Sequence, residues 1–386
     1  MQSVRDWNPS IGLNRFLGLL SFAHGINDYY TVMLSALLPF IAAEFTLSYT
    51  ESGMLVLLST LFSALLQPVM GYAADRFGWQ KAILIGGFAI FGLGTILIGI
   101  SFSTLTLMLA AIVYGLGRVS YHPQATRYIT RAYGRNAGRA MGVHGFGGSA
   151  GMVVAPLMVT GLILLIGIGW REASFVLALP ALFAMLILST ILTREKPAKH
   201  PMALGHIGPQ LLMVTFIFSL IVGFNGIVTN FVPLYLNDSN VIAILMGASL
   251  IFQVIGGWLF DRFGRPALTF GCIITMVGWA MFLLIGEGGF VPALALVGGG
   301  IAATFPVALT IASRLNPNNI GLTVGIVFGA SSALGSLSPL LFGSLADAYT
   351  IENAFALIVS IPILASLLSL TLWRKRPVIS DDLPLS

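Results

Sequence analysis

The chain has 386 residues, of which 57% are hydrophobic and 9% are Asp, Glu, Lys or Arg, against about 25% charged in an ordinary soluble domain. Too few charges remain to cover a water-facing surface, so the outside must face lipid, and disorder, which needs the reverse composition, is excluded. The net charge of +5 does not indicate a nucleic-acid binder, because the basic residues are scattered between apolar runs, and the single cysteine, Cys272, excludes a disulfide framework.

Apolar runs of about 20 residues, the length that crosses a bilayer, fall near 14–42, 53–74, 81–101, 105–126, 137–165, 171–193, 209–236, 240–260, 266–286, 289–312, 320–346 and 353–373. They predict twelve transmembrane helices. The first run is too long for a signal-peptide core and ends at no small-residue cleavage site. With the N-terminus cytoplasmic, every Lys and Arg falls on the cytoplasmic side except Arg171, which falls outside, and Arg118, which lies within the fourth span. Both termini are therefore expected in the cytoplasm.

Between the sixth and seventh spans the prolines and charges of Arg194-Glu-Lys-Pro-Ala-Lys-His-Pro forbid a continuous helix. The expected division is a six-helix half over 1–193, a cytoplasmic linker over 194–208, a second half over 209–376 and a tail over 377–386. The halves repeat in sequence. Gly71-Tyr-Ala-Ala-Asp75-Arg76-Phe-Gly78 matches Gly257-Trp-Leu-Phe-Asp261-Arg262-Phe-Gly264, and Gly115, Gly117, Pro123 and Arg131 match Gly298, Gly300, Pro306 and Arg314.

This duplicated loop, with the span count and charged linker, resembles the major facilitator superfamily along the whole chain. The resemblance implies an all-α integral membrane protein with two pseudo-symmetric six-helix halves. It also implies a conformational latch that holds the outward-facing state, here Gly71, Asp75, Arg76, Gly78 and Lys81 with Gly257, Asp261, Arg262, Gly264 and Arg265. Trp79 and Gln80 depart from the family's basic residues at those places, and Pro266 follows Arg265.

A charge at bilayer depth costs several kcal/mol, so each one present is a functional candidate. Asp28 in the first span and Arg118 in the fourth are two such charges, expected to pair across the central cavity. His24 and Asp28 share a helix face at i and i+4, with Asn27 and Tyr29 beside them, and Arg118, Tyr121 and His122 repeat that spacing. The fifth span adds His144 and a glycine run, Gly142, Gly145, Gly147, Gly148 and Gly151, that permits close helix approach. In the second half Ile301 and Phe305 stand where Arg118 and His122 stand in the first. There Asn225, Asn230 and Gln253 are available to hydrogen-bond a substrate, and Phe305 to pack against its apolar part. The expected proton-coupling groups are Asp28, His24 and His122; the expected substrate contacts are Arg118, Asn27, Tyr29, Tyr121, His144, Asn225, Asn230, Gln253 and Phe305. A purely structural Asp28–Arg118 pair, and histidines bonded only to backbone, stay open as alternatives.

Within the superfamily, His24-Gly-Ile-Asn27-Asp28 and Tyr121-His122-Pro123-Gln-Ala-Thr-Arg127 resemble the fosmidomycin-resistance branch of drug exporters. Gln124 stands where an acidic residue is common in that branch, which leaves Asp28 as the main carboxylate. The leading expectation is a proton-coupled exporter of a small amphiphilic or anionic compound in the inner membrane. The alternatives are a proton symporter importing a small carboxylate or other anion, and a divalent-metal exporter using His24 and Asp28, which the nearby Arg118 disfavours. No nucleophile triad, phosphate loop or ATP motif points to an enzyme or a cofactor. The expected partners are substrate, protons and lipid, with no nucleic acid, and one chain supplies both halves as a monomer.

Overall fold

A computed structural model describes residues 11–133, 137–193, 208–285, 290–315 and 320–373, apart from the side chains of Pro68, Gly71, Tyr72, Asp75, Pro123, Thr130, Arg131, Ser313 and residues 137–139 and 320–326. The expected tail and all of the expected linker but Gly208 lie outside the described residues. Lipid offers no partner for a free backbone N–H or C=O, so spanning segments must satisfy their own hydrogen bonds, and the described structure is helical. Twelve stretches are long and apolar enough to cross a membrane. The protein is a multi-pass membrane protein.

The first six spans are α1 (Leu13–Phe45), α2 (Tyr49–Phe77), α3 (Gln80–Gly99), the pair α4 (Thr104–Leu116) and α5 (Tyr121–Tyr133), α6 (Ala137–Thr160) and α7 (Trp170–Ile191). The last six are α8 (Pro209–Leu236), α9 (Val241–Phe263), α10 (Pro266–Ile285), α11 (Phe290–Leu315), the pair α12 (Ile320–Gly335) and α13 (Ser338–Ala348), and the pair α14 (Ile351–Leu357) and α15 (Ser360–Leu370). A 3-10 turn at Gly117–Val119 separates α4 from α5, so the fourth span is not one straight helix. Local chemistry sets several ends. Ser48 and Glu51 form a reciprocal capping box that starts α2 four residues before the apolar run expected at 53. Gly78 and Gly264 end α2 and α9 at φ of 68° and 69°, where a side chain would be strained, which explains the glycine in both copies of the loop motif.

Packing repeats with the sequence. α1 packs on α6, α2 on α4 and α3 on α7; in the same places of the second set, α8 packs on α12, α9 on α11 and α10 on α15. The two sets meet through α2 against α12 and α13, α6 against α9 and α1 against α8. Among the described residues several of their shared contacts lie toward the end opposite the chain termini, called here the distal end. Ser239 Oγ donates to Ala36 O at 2.6 Å, Thr160 Oγ1 to Asn240 Oδ1 at 2.8 Å, and Tyr49 packs on Phe231. The buried apolar core follows the same division. One cluster runs from the first six spans into the distal part of the last six, through Phe224, Phe231, Trp279 and Phe355. A second, separate cluster, with Val214, Phe218, Cys272, Val307 and Ile311, fills the terminal end of the last six. Among the described residues, one core cluster thus joins the halves distally and a separate one lies toward the termini.

Candidate functional site

Midway through the first six spans, three helices bring their polar residues to one point. α1 contributes His24, Asn27 and Asp28; α5 contributes Tyr121 and His122; α6 contributes His144. His24, Asn27, Asp28, Tyr121 and His144 are all buried, and only His122 keeps substantial exposure, 38% of its side chain. Asp28 lies between two imidazoles: Oδ2 is 3.3 Å from His24 Nε2 and Oδ1 is 3.7 Å from His122 Nε2. Asn27 Nδ2 donates to Oδ1 at 2.9 Å.

His24 is held at its Nδ1 and by two stacked rings. Its Nδ1 lies 2.7 Å from the His144 carbonyl oxygen, which as an acceptor places a hydrogen on that nitrogen. The ring stacks on His144 at 4.1 Å between centroids and on Tyr121 at 5.3 Å, and the Tyr121 hydroxyl donates to Leu20 O at 2.7 Å. α6 approaches closely enough to do this because Gly148 lacks a side chain: a Cβ there would stand 2.5 Å from both Asp28 Oδ2 and His24 Cε1. Gly147 and Gly151 lie against the α1 backbone in the same way, whereas Gly142 and Gly145 face open space, so only part of the glycine run serves helix approach.

This geometry bears on where a proton can sit, although His24 Nε2 makes no directed hydrogen bond to Asp28. With Nδ1 of His24 protonated, a neutral ring turns the Nε2 lone pair toward an ionised carboxylate oxygen, which is repulsive. The contact is attractive when one proton is shared between His24 Nε2 and Asp28, as imidazolium with carboxylate or as imidazole with carboxylic acid. The ligand atoms of His24, Asp28 and His122 all lie within 4.8 Å of one another, a set of donor types that a transition-metal ion accepts. The guanidinium of Arg118 interacts electrostatically with Asp28, and that opposes a doubly charged ion more than it opposes a proton.

Several expected residues stand elsewhere. Arg118 forms no ion pair with Asp28 among the described residues; the two histidines take that place. Arg118 sits in the 3-10 turn before the helix of Tyr121 and His122, and interacts electrostatically with Asp28 and His122 without forming an ion pair with either. Tyr29 packs edge-on against Tyr30 at 5.1 Å instead of joining the cluster. His144 supports His24 by stacking and is too buried to meet a substrate directly. In α8, Asn230 donates back to Gly226 O at 2.7 Å and Asn225 accepts from Thr229, so neither hydrogen-bonds to the cluster. Gln253 reaches across the halves to Ser149 Oγ at 3.3 Å. Phe305 does face the site region, 40% exposed, and extends an aromatic row from His122 to Phe328 at 6.1 Å, then Phe305 at 5.9 Å and Phe218 at 5.8 Å. Phe328, the residue that meets His122 from the other half, was not among the expected contacts, because only the tertiary fold places it there.

The loop motif also divides. Lys81 Nζ donates to Ser189 O and Leu192 O, both at 2.7 Å, capping the end of α7, and Arg265 reaches Leu372 O at 3.4 Å, just past α15. These two residues brace their own halves and do not bridge between them. Arg265 is partly covered in doing so, and burial pushes its pKa below the ordinary guanidinium value. Asp261, Arg262 and Arg76 are exposed, with Arg262 lying over Trp258. The side chain of Asp75 and the surroundings of Gly71 fall outside the described residues.

The chain matches the family model described as Major Facilitator Superfamily over residues 20–240 and again over 211–385. It is 29% identical to the fosmidomycin resistance protein of Escherichia coli, over 91% of each chain. It is 25% identical to the MFS-type transporter YfnC of Bacillus subtilis, over 93% of each. Among solved structures, the bacterial homologue of the human lysosomal transporter Spinster, in its inward-facing and unoccupied conformation, superposes with a TM-score of 0.74 at 16% identity, covering 93% of this chain and 96% of that one.

Proposed function

The chain belongs to the major facilitator superfamily, and from that premise we propose that it is a proton-coupled exporter of small amphiphilic or anionic compounds. It works by alternating access of two six-helix halves joined by the segment 194–208, as a monomer in the inner membrane with both termini cytoplasmic. The observation that supports the proposal is the buried Asp28 carboxylate standing within 3.3 Å of His24 Nε2 and 3.7 Å of His122 Nε2, three groups that can share a proton. His122 is the exposed member of the cluster and the one that meets the other half, so it passes that proton between Asp28 and water.

Arg118, half-buried and without an ion-pair partner among the described residues, supplies attraction for an anionic group. The row Phe328, Phe305 and Phe218 accepts the apolar part of the compound. A compound lying against His122 and Phe328 covers the side of Asp28 from which a proton arrives. Proton and substrate then exclude each other, which is the requirement for antiport. An anion held at Arg118 without touching His122 would instead favour protonation of Asp28, and the same site would then run symport.

The test is accumulation of fosmidomycin and a chemically diverse panel in a bacterium lacking its main efflux pumps, with wild type, Asp28→Asn and Arg118→Ala. We expect wild type to lower accumulation of at least one compound, collapse of the proton gradient to restore it, and both variants to fail. Raised uptake under the same gradient would replace export with import. No response from any compound would overturn the drug-export reading.

A further inference from the structure

The sequence carries a third Gly-x-x-x-Asp spacing, Gly343-Ser-Leu-Ala-Asp347, on α13 at the distal end, opposite the two loop copies at Gly71–Asp75 and Gly257–Asp261. We propose that Gly343 and Asp347 form a distal latch that holds the halves closed at that end and must be released each time the carrier opens there. The proposal rests on the alternating-access reading above, and adds residues that the loop motif does not contain.

The argument starts from the first turn of α2. A helix leaves its first N–H groups without intrahelical partners. The capping box satisfies two of them: Ser48 Oγ accepts from Glu51 N at 3.1 Å while Glu51 Oε2 accepts from Ser48 N at 2.9 Å. The N–H groups of Tyr49 and Thr50 remain, and both donate to one carboxylate from the other half, Tyr49 to Asp347 Oδ1 at 3.0 Å and Thr50 to Oδ2 at 2.7 Å. A carboxylate there also gains from the positive end of the α2 dipole. Gly343 lies one turn before Asp347 with its backbone against Tyr49 O, and any Cβ would collide with that carbonyl, so the glycine sets how closely α13 can approach. The other distal hydrogen bonds between the halves, Ser239 to Ala36 and Thr160 to Asn240, join neutral groups. Asp347 is a charged group that bridges the halves by hydrogen bonds at the distal end. When the distal ends separate, the bridge must break, because its two partners sit on opposite halves.

The experiment measures double electron–electron resonance distances on the full chain in lipid nanodiscs, without substrate, in a Cys272→Ser background. One label pair reports the distal end, at Thr46→Cys and Tyr349→Cys, and a second reports the terminal end, at Phe77→Cys and Arg314→Cys; all four positions are exposed. In Asp347→Asn we expect the ratio of distally open to distally closed molecules to rise about two- to fivefold, the range for a charge at a helix terminus, with the terminal pair shortening in step. Tyr49→Pro removes one donor without removing the carboxylate. Proline is favoured at the first helical position, and Ser48 already has the extended ψ of 165° that a residue before proline requires. It should shift the ratio the same way, and further than Tyr49→Ala, which equally loses the ring and its contact with Phe231 but keeps the N–H. If Asp347→Asn folds poorly, the comparison of Tyr49→Pro with Tyr49→Ala decides alone. Wild-type distance distributions in both Asp347→Asn and Tyr49→Pro would overturn the proposal. The readout involves neither substrate nor proton flux, so its failure and the failure of the export reading are separate results.

Discussion

At matching places in the duplicated fold, the first half presents Arg118 and His122, and the second presents Ile301 and Phe305. Both halves have the same helix pairings, so the difference lies in the side chains and not in the scaffold. Each charge placed at this depth costs several kcal/mol unless another group compensates it. His24, Asp28 and His122 gather on one wall, so the carboxylate and the imidazoles offset one another's charge, and His122 meets the aromatic side chain of Phe328 from the other half. Duplication followed by such segregation gives a carrier one face for charge and one for shape.

The largest break in this comparison should come from Asp28→Asn. The amide keeps the shape but leaves His24 and His122 without their counter-charge, and loss of one partner from a buried pair costs about 3–5 kcal/mol. Proton-driven transport in proteoliposomes should fall below detection while the protein stays monodisperse; retained coupling would move the proton site elsewhere. Next is Gly148→Ala, which inserts a methyl between Asp28 and His24. Overpacking of this kind costs about 1–3 kcal/mol, so the thermal unfolding midpoint and transport should both drop, while Gly145→Ala, facing open space, should change neither. On the aromatic wall, Phe328→Ala should raise KM about two- to tenfold with kcat little changed, as expected for loss of an aromatic contact worth about 0.5–1.5 kcal/mol. A fall in kcat without a change in KM would show that this wall takes part in coupling and not only in binding.

The spans were legible because hydropathy alone marks a membrane helix, and the i, i+4 spacing of His24 and Asp28 correctly placed them on one face. The break at Gly117–Val119 was not legible, since hydropathy runs through it, nor was it legible that His24 and His122 and not Arg118 would be the ion-pair partners of Asp28. The role of His144 depends on its backbone carbonyl meeting a ring 120 residues away, and the need for Gly148 depends on the same helix contact, so neither has a local signal. Asp347 did have one. Gly343-x-x-x-Asp347 carries the spacing of the loop motif, and Ser48-x-x-Glu51 marks the helix start it binds.

The smallest expected effects test whether the two copies of the loop motif do the same job. Lys81 makes two bonds of 2.7 Å to the carbonyls ending α7, whereas Arg265 makes one of 3.4 Å to Leu372. A cation at a helix C-terminus contributes about 0.3–1 kcal/mol. Lys81→Ala should therefore lower the thermal midpoint slightly, and Arg265→Ala less, with the difference set by bond number and length. Both braces lie inside a half, so neither substitution should alter the balance between distally open and distally closed molecules in the label pairs described above. A shift of that balance in Lys81→Ala would mean that the basic residue also engages the opposite half in the other conformation. A shift in Lys81→Ala but not in Arg265→Ala would extend the asymmetry of the two halves from the transport site to the loops that move them.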